Sequence, residues 1–373
     1  MSNMSDAPTP PLSVQQRSSL VRKLRSLPLL WPIVALLVLL LVNLIRSPDF
    51  FHVALINTAS ADAPRWRLFG SPVDILNNGV PVMLMAMGMA LVIGTGGIDL
   101  SVGAVMAIAG AMAAAMMVPQ QTALAGMTPK GAFAAVSLAL LVSALAGAWN
   151  GMLVAVFRVQ PIIATLVLMV AGRGIAQLIT GGSQPAIGAD AWPAYAFLGR
   201  GTFLWLPFPV TLVLLVAAAT LILTRLTALG LFIESIGNNA IASAYAGVPE
   251  RLVTLLAYTF SGLCAGLAGL IETSNVMSVN PGTTGQYREL DAILAVAVGG
   301  TALTGGRFSL LGALLGALIM QTLQTTILTS RLPSDTVKVV EAVVVVAICL
   351  LQSERFRAMF VRLFGLFSPR VPA

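Results

Sequence analysis

The stretch VIGTGGIDLSVGAVM, residues 92–106, places four glycines, an aspartate and a serine between Gly94 and Gly103 of an otherwise strongly apolar chain. Long apolar runs lie on both sides of it. In a bilayer, backbone N–H and C=O groups must be paired, or face water or protein. The glycines allow a sharp turn between two apolar helices. Asp99 or Ser101 is then expected to cap a helix starting near Val102, accepting hydrogen bonds from its unpaired N–H groups. Gly103 and Ala104 permit close helix approach. An ionised side chain at mid-span costs about 2.5–3.5 kcal/mol on the insertion scale, and each neighbouring Leu, Ile or Val returns about 0.3–0.6. Asp99 is therefore affordable at depth, but only facing protein or a watery cavity. Two roles stay open for it: a structural cap, or a residue beside a transport path or gate.

The rest of the chain fixes the class. Of 373 residues, 57% are hydrophobic and 9% charged, against about a quarter charged in soluble domains; the mean hydropathy is +0.92. This composition predicts an all-α, polytopic helical membrane protein with about ten transmembrane helices. The expected spans are 29–45, 77–94, 102–118, 132–156, 161–180, 208–224, 252–271, 289–303, 308–330 and 338–352. Short or broken helices are expected around Gly94–Gly103 and Gly299–Gly306. A basic, disordered tail and flank (1–28), a transmembrane domain (29–352) and a basic tail (353–373) make up the expected organisation. The run 29–45 has the length of an uncleaved first span, with no small-x-small cleavage site after it.

The net charge of +7 comes from bases at the ends, Arg17, Arg22, Lys23 and Arg25 and then Arg355, Arg357, Arg362 and Arg370. Flanking charge of this kind predicts that both termini are cytoplasmic. The internal loops run the other way, so the parity rests on the termini. No basic stripe with interleaved aromatics suggests nucleic acid. Cys264 and Cys349 sit in apolar runs and are expected to pack rather than pair. With one histidine, His52, a multi-histidine metal site is excluded. There is no G-x-x-x-x-G-K-[ST], no H-E-x-x-H and no G-x-S-x-G, so neither nucleotide binding nor enzyme activity is expected of this chain. One internal echo stands out: GGIDLSVGA (96–104) against GGRFSLLGA (305–313), the kind of repetition that duplicated transporter halves leave.

These residues carry a resemblance. GGIDLSVGA, PIIATLVLMVAGRGIAQLITGG (161–182), GLFIESIGNNAIASAYAGV (230–248) and ELDAILAVAVGGTALTGGRFSLLGALLGALI (289–319) resemble the membrane permeases of ribose-type ABC sugar importers. With RLFGSPVDILN (67–77), the likeness runs to the galactofuranose importers within that family. The resemblance implies translocation of a monosaccharide, galactofuranose or a pentose-like sugar. It also implies a cytoplasmic ABC ATPase, a periplasmic sugar-binding protein and a second permease subunit, alike or paralogous. No cofactor is implied on this chain; ATP and magnesium belong to the ATPase.

A coupling segment is expected in the loop 225–251. Asn239 suits an N-cap, 240–246 a short helix and Gly247 its C′ position. Gly237, Asn239, Ala242, Ala246 and Gly247 match the family's coupling segment, while Ser243 departs from it; Glu234 and Glu250 offer charge to a basic groove. For an uncharged sugar the candidate path residues are Asp99, Ser101, Asn77, Asn150, Arg173 and Gln177. Arg173 and Gln177 lie one helical turn apart. Arg173 is alternatively half of an ion pair with Asp99 or Asp291. Glu289 and Asp291 are expected to cap the helix they open. The rival reading is an ion-coupled secondary transporter with Asp99 as its ion site; a weaker one is a membrane scaffold that moves nothing.

Overall fold

The structure, a computed structural model, describes residues 29–46, 48–57 and 66–329, with isolated helical residues between 339 and 350. The expected terminal segments 1–28 and 353–373 lie outside the described residues, as does most of the span at 338–352. Helices α1 (Leu30–Arg46), α2 (Ser71–Gly94), α3 (Val102–Met117), α4 (Ala132–Ala155), α5 (Pro161–Thr180) and α6 (Pro193–Arg200) form the first part. They are followed by α7 (Phe208–Leu226), α8 (Leu229–Asn238), α9 (Ala240–Tyr245), α10 (Glu250–Val276), α11 (Arg288–Val298) and α12 (Leu310–Thr329). Nine of these, all but α6, α8 and α9, fall on the first nine expected spans. Six are long and apolar enough to cross a membrane: α2, α4, α5, α7, α10 and α12.

Local chemistry sets several boundaries. Proline stands in the first turn of α2, α5 and α7, where its missing N–H is not needed. Helix α5 stops at Gly181 in the left-handed region, φ 63°. Helix α11 has 11 residues, a rise of about 16 Å against a hydrocarbon core of about 30 Å. The expected span at 289–303 is thus half a span, broken at the Gly299–Gly306 loop. Two small antiparallel hairpins were not foreseen: β1 (Ala54–Asn57) with β2 (Trp66–Phe69), and β3 (Thr202–Phe203) with β4 (Leu206–Pro207).

Helix α10 is the axis of the bundle and packs on α2, α3 and α4. The α4–α10 contact is made of small residues. A Cβ on Gly262 would overlap the Ser143 carbonyl, and one on Gly147 the Tyr258 carbonyl. Backbones approach this closely only where side chains are absent, which is how membrane helices gain contact without a hydrophobic drive. Helix α3 is sheathed by α4, α5 and α10, and every residue of it but Met112 is buried. The outward faces of α4, α5 and α7 carry exposed Phe133, Leu141, Leu145, Val167, Val170, Leu178, Leu214 and Leu215, a surface suited to lipid.

Contacts sort the loops into two ends. At one end Gly94, Gly237 and Gly306 meet, and Arg158 pairs with Glu250. At the other, Leu68 N–H donates to the Trp205 carbonyl, and Ile187 N–H to the Met277 carbonyl. Every long helix joins one end to the other.

Candidate functional site

Residues 92–106 are for the most part enclosed within the helix bundle. From Gly94 the chain turns back into the bundle, and Asp99 comes to rest beside Ser261 of α10. Ser261 lies 11 residues beyond Glu250, where α10 begins, so Asp99 sits about 16 Å along the helix from that end. Its carboxylate is buried, 1% exposed, and each oxygen is used. Oδ1 accepts from the Ser101 N–H (3.0 Å) and hydroxyl (2.7 Å), and Oδ2 from the Ser261 hydroxyl (2.9 Å). Asn150 of α4 donates Nδ2 to the Ser101 hydroxyl at 2.8 Å. Tyr258, one turn before Ser261, donates to the Ile98 carbonyl at 3.5 Å. Three donors thus satisfy its two oxygens, as burial of a polar group requires, and the positive end of α3 lies beside it.

The expected cap is therefore indirect. Ser101 occupies the N-cap position of α3 but makes no side-chain cap bond. Asp99 instead holds the N–H of the N-cap residue itself. Of the six candidate path residues, Asp99, Ser101 and Asn150 come together in this knot. Ser261 and Tyr258, which complete it, were not foreseen.

The other three stand apart. Arg173, on α5, does not ion-pair with Asp99 or Asp291. Its guanidinium donates to the carbonyls of Thr284 (2.6 Å) and Gly282 (3.4 Å) in the loop before α11. Glu289 and Glu272 are the carboxylates that act on its charge. The partner of Asp291 is instead Arg288, at 3.6 Å, which also reaches Glu272 at 3.6 Å. Glu289 opens α11 and lays Oε2, buried without a hydrogen-bond partner, against Gly103 at the start of α3. Gln177 is exposed one turn beyond Arg173. Asn77 lies near the other end of α2, half-buried, with a buried and unpartnered Oδ1. Arg173, Glu272, Arg288, Glu289 and Asp291 thus form a second, charged cluster where loop 277–287 dips toward α3.

An apolar cleft of about 460 Å³ between α7, α8 and α10 includes Leu91, Leu223, Ile233, Leu256 and Phe260 in its lining. The hydroxyls of Thr220 and Thr224 in its wall bond their own helix carbonyls. With Thr259 likewise bonded to its own helix, the cleft has no free side-chain hydroxyl proton to donate to a sugar.

The loop 225–251 folds as α8 and α9. Asn239 Oδ1 accepts from the Ala242 N–H at 2.9 Å, and Gly247 adopts φ 84°, as the N-cap and C′ readings require. Ser243 is the buried residue of α9; Ile241 and Tyr245 are 71% and 90% exposed, and Ala242 and Ala246 are exposed beside them. Glu234 is half-buried on α8. Glu250 is paired within the chain: Arg158 grips it with two hydrogen bonds, 2.6 and 3.2 Å. At Gly237 there is no room for a side chain, since a Cβ would overlap the Gly94 carbonyl and the Gly306 amide.

Comparison with known proteins places this architecture. Residues 71–349 match the family described as branched-chain amino acid transport system / permease component. The chain is 46% identical over 332 residues to the galactofuranose transporter permease protein YtfT of Escherichia coli K12, covering 87% of this chain and 91% of that protein. It is 37% identical to the fructose import permease protein FruF of Bifidobacterium longum, over 91% of each chain. It is 36% identical to the ribose import permease protein RbsC of E. coli K12, over 87% of this chain and 93% of that one. All three are transport permeases, and the ion-coupled reading gains nothing from them. By the family match and these near full-length likenesses, the chain belongs to the family of branched-chain amino acid transport system permease components, as a multi-pass membrane subunit of a transporter rather than an enzyme.

Proposed function

We propose that this chain is the membrane-spanning subunit of an ATP-binding cassette importer for a monosaccharide of the galactofuranose type. The observation that carries the reading is the 46% identity to a galactofuranose permease across nearly all of both chains. In this reading a cytoplasmic ATPase holds ATP and magnesium and docks on α9, where Ile241 and Tyr245 project outward. A periplasmic binding protein delivers the sugar to the opposite end, and a second permease subunit completes the path. In this reading the end carrying 229–247 is the inner one, and both termini are cytoplasmic once the span expected at 338–352 returns the chain to that side.

The path runs beside α5. Arg173 and Gln177 share one face of it, and the loop 277–287 next to them is polar. Asp99, Ser101 and Asn150 form a closed floor beneath this face. The path stays shut while Asp99 holds Ser261, and opening it requires α3 and α10 to part at that point. The test is uptake in cells lacking the chromosomal permease, with unlabelled sugars competing against labelled galactofuranose. The expected result is uptake restored by this chain and competed more strongly by galactofuranose than by ribose or fructose. Competition by ribose or fructose at lower concentrations would reassign the sugar.

A further inference from the structure

The coupling segment meets the bundle where the end of α8 touches two glycine loops backbone to backbone. Gly306 N–H donates to the Gly94 carbonyl at 3.2 Å. Gly237, at the end of α8, fits against both of these groups only because it has no side chain. A Cβ on Gly305 would come within 2.7 Å of the Gly96 Cα, so the two Gly-Gly pairs of the internal echo face each other here. Asn238 fastens the contact. Its Nδ2 donates to the Gly306 carbonyl at 3.2 Å and to the Glu234 carbonyl, one turn back on α8, at 2.8 Å.

Each loop leads inward. From Gly96 the chain passes Gly97, seated on the Tyr258 hydroxyl, to Asp99. From Gly305 it runs back to Gly299, pressed on the Gly312 backbone, and so to α11, whose first turn carries Glu289 and Asp291. Side chains absorb small displacements by changing rotamer. Backbone packed on backbone has no such slack, and packed contacts of this kind shift between discrete arrangements.

We propose that Gly237 and Asn238 are positioning residues that hand movement of the docked segment to both glycine loops at once. The Asp99 knot and the base of α11 then move as one unit. Docking and transmission are thereby separated: α9 presents Ile241 and Tyr245 to the partner, and the last turn of α8 drives the bundle. This rests on the reading of 229–247 as the coupling segment.

The test uses the assembled importer, full-length permease with its ATPase and binding protein, in lipid. Asn238→Ala removes the amide to Gly306 and leaves the Asn239 cap and the outward face of α9 in place. The expected result is an ATPase that still co-purifies and hydrolyses ATP at its basal rate. Stimulation by sugar-loaded binding protein, and uptake, both fall about tenfold. Asn238→Asp, of equal size but with no amide to donate, is expected to do the same. Wild-type stimulation and uptake in both variants would overturn the proposal, as would an equal fall in basal and stimulated hydrolysis, the mark of a merely structural role. Ile241→Asp tests the underlying reading separately and is expected to release the ATPase. If that variant keeps its ATPase and its uptake, the segment is not the docking element, whatever Asn238→Ala does.

Discussion

The loops GGIDLSVGA (96–104) and GGRFSLLGA (305–313) are worded alike, and each precedes an apolar helix, yet their serines are used differently. In the second, Ser309 Oγ accepts from the Gly312 N–H at 3.0 Å and Ser309 N–H donates to the Thr301 hydroxyl at 3.2 Å. This is an ordinary local cap. In the first, Ser101 precedes α3 but gives its hydroxyl to Asp99 and accepts from Asn150. A carboxylate two residues upstream has withdrawn the serine from its own helix and committed it to α4 and α10. The same short wording serves local structure in one place and ties three helices together in the other.

The largest effect is expected from Asp99→Ala. It strands the hydroxyls of Ser101 and Ser261 in a dry interior, at about 1–3 kcal/mol for each group left unpaired. Thermal unfolding of the purified chain in detergent should show a clear fall, with Asp99→Asn milder because it keeps an acceptor. An Asp99→Ala chain as stable as wild type would break the contrast between the loops. Next comes Gly305→Ala. The left-handed backbone there, φ 87°, costs a non-glycine residue about 1–2 kcal/mol, before the added methyl meets Gly96. The same unfolding assay reads it, and a neutral result would mean that the two Gly-Gly turns do not touch.

The serines sharpen the comparison. Ser309→Ala should cost about 1 kcal/mol, the usual worth of an N-cap. Ser101→Ala should cost more although it removes no cap, because the Asn150 amide loses its acceptor. The two variants measured side by side decide this, and equal losses would mean that Ser101 acts only locally. The smallest effect is expected from Arg158→Ala. Arg158 is 58% exposed, and such pairs contribute about 0.2–1 kcal/mol, screened by salt. A loss of stability well above that range would show that the grip on Glu250 does more than steady the start of α10.

What the sequence made legible follows from which forces are local. Helix α5 was legible at both ends, because Pro161 starts it and Gly181 stops it through their own backbone preferences. The Asn239 cap and the Gly247 turn were legible for the same reason. Helix α11 was legible in part: the glycines marked a break at Gly299–Gly306, but an apolar run does not record where a chain must stop to pack. The break falls at Gly299, whose place is set by the Gly312 backbone some dozen residues away. Ser261 was lost among apolar neighbours. The signal that marks it is the small-residue spacing of Gly262, Gly266 and Gly269, which announces a close helix contact where a hydroxyl finds a distant partner. Asn238 was overshadowed by Asn239, whose cap is local, while its own partner lies 68 residues on. Arg173 drew an ion-pair reading because charge suggests charge; the carbonyls of Gly282 and Thr284 that hold it belong to a loop with no sequence mark of its position.

The central claim is that this chain moves sugar only when a nucleotide-hydrolysing partner acts on its inner face. Sugar entry into sealed proteoliposomes measures this directly, comparing the permease alone with the permease, ATPase and binding protein together. The account predicts entry only in the complete assembly with ATP, and none from the permease alone under an imposed proton or sodium gradient. Gradient-driven accumulation by the chain alone would contradict it.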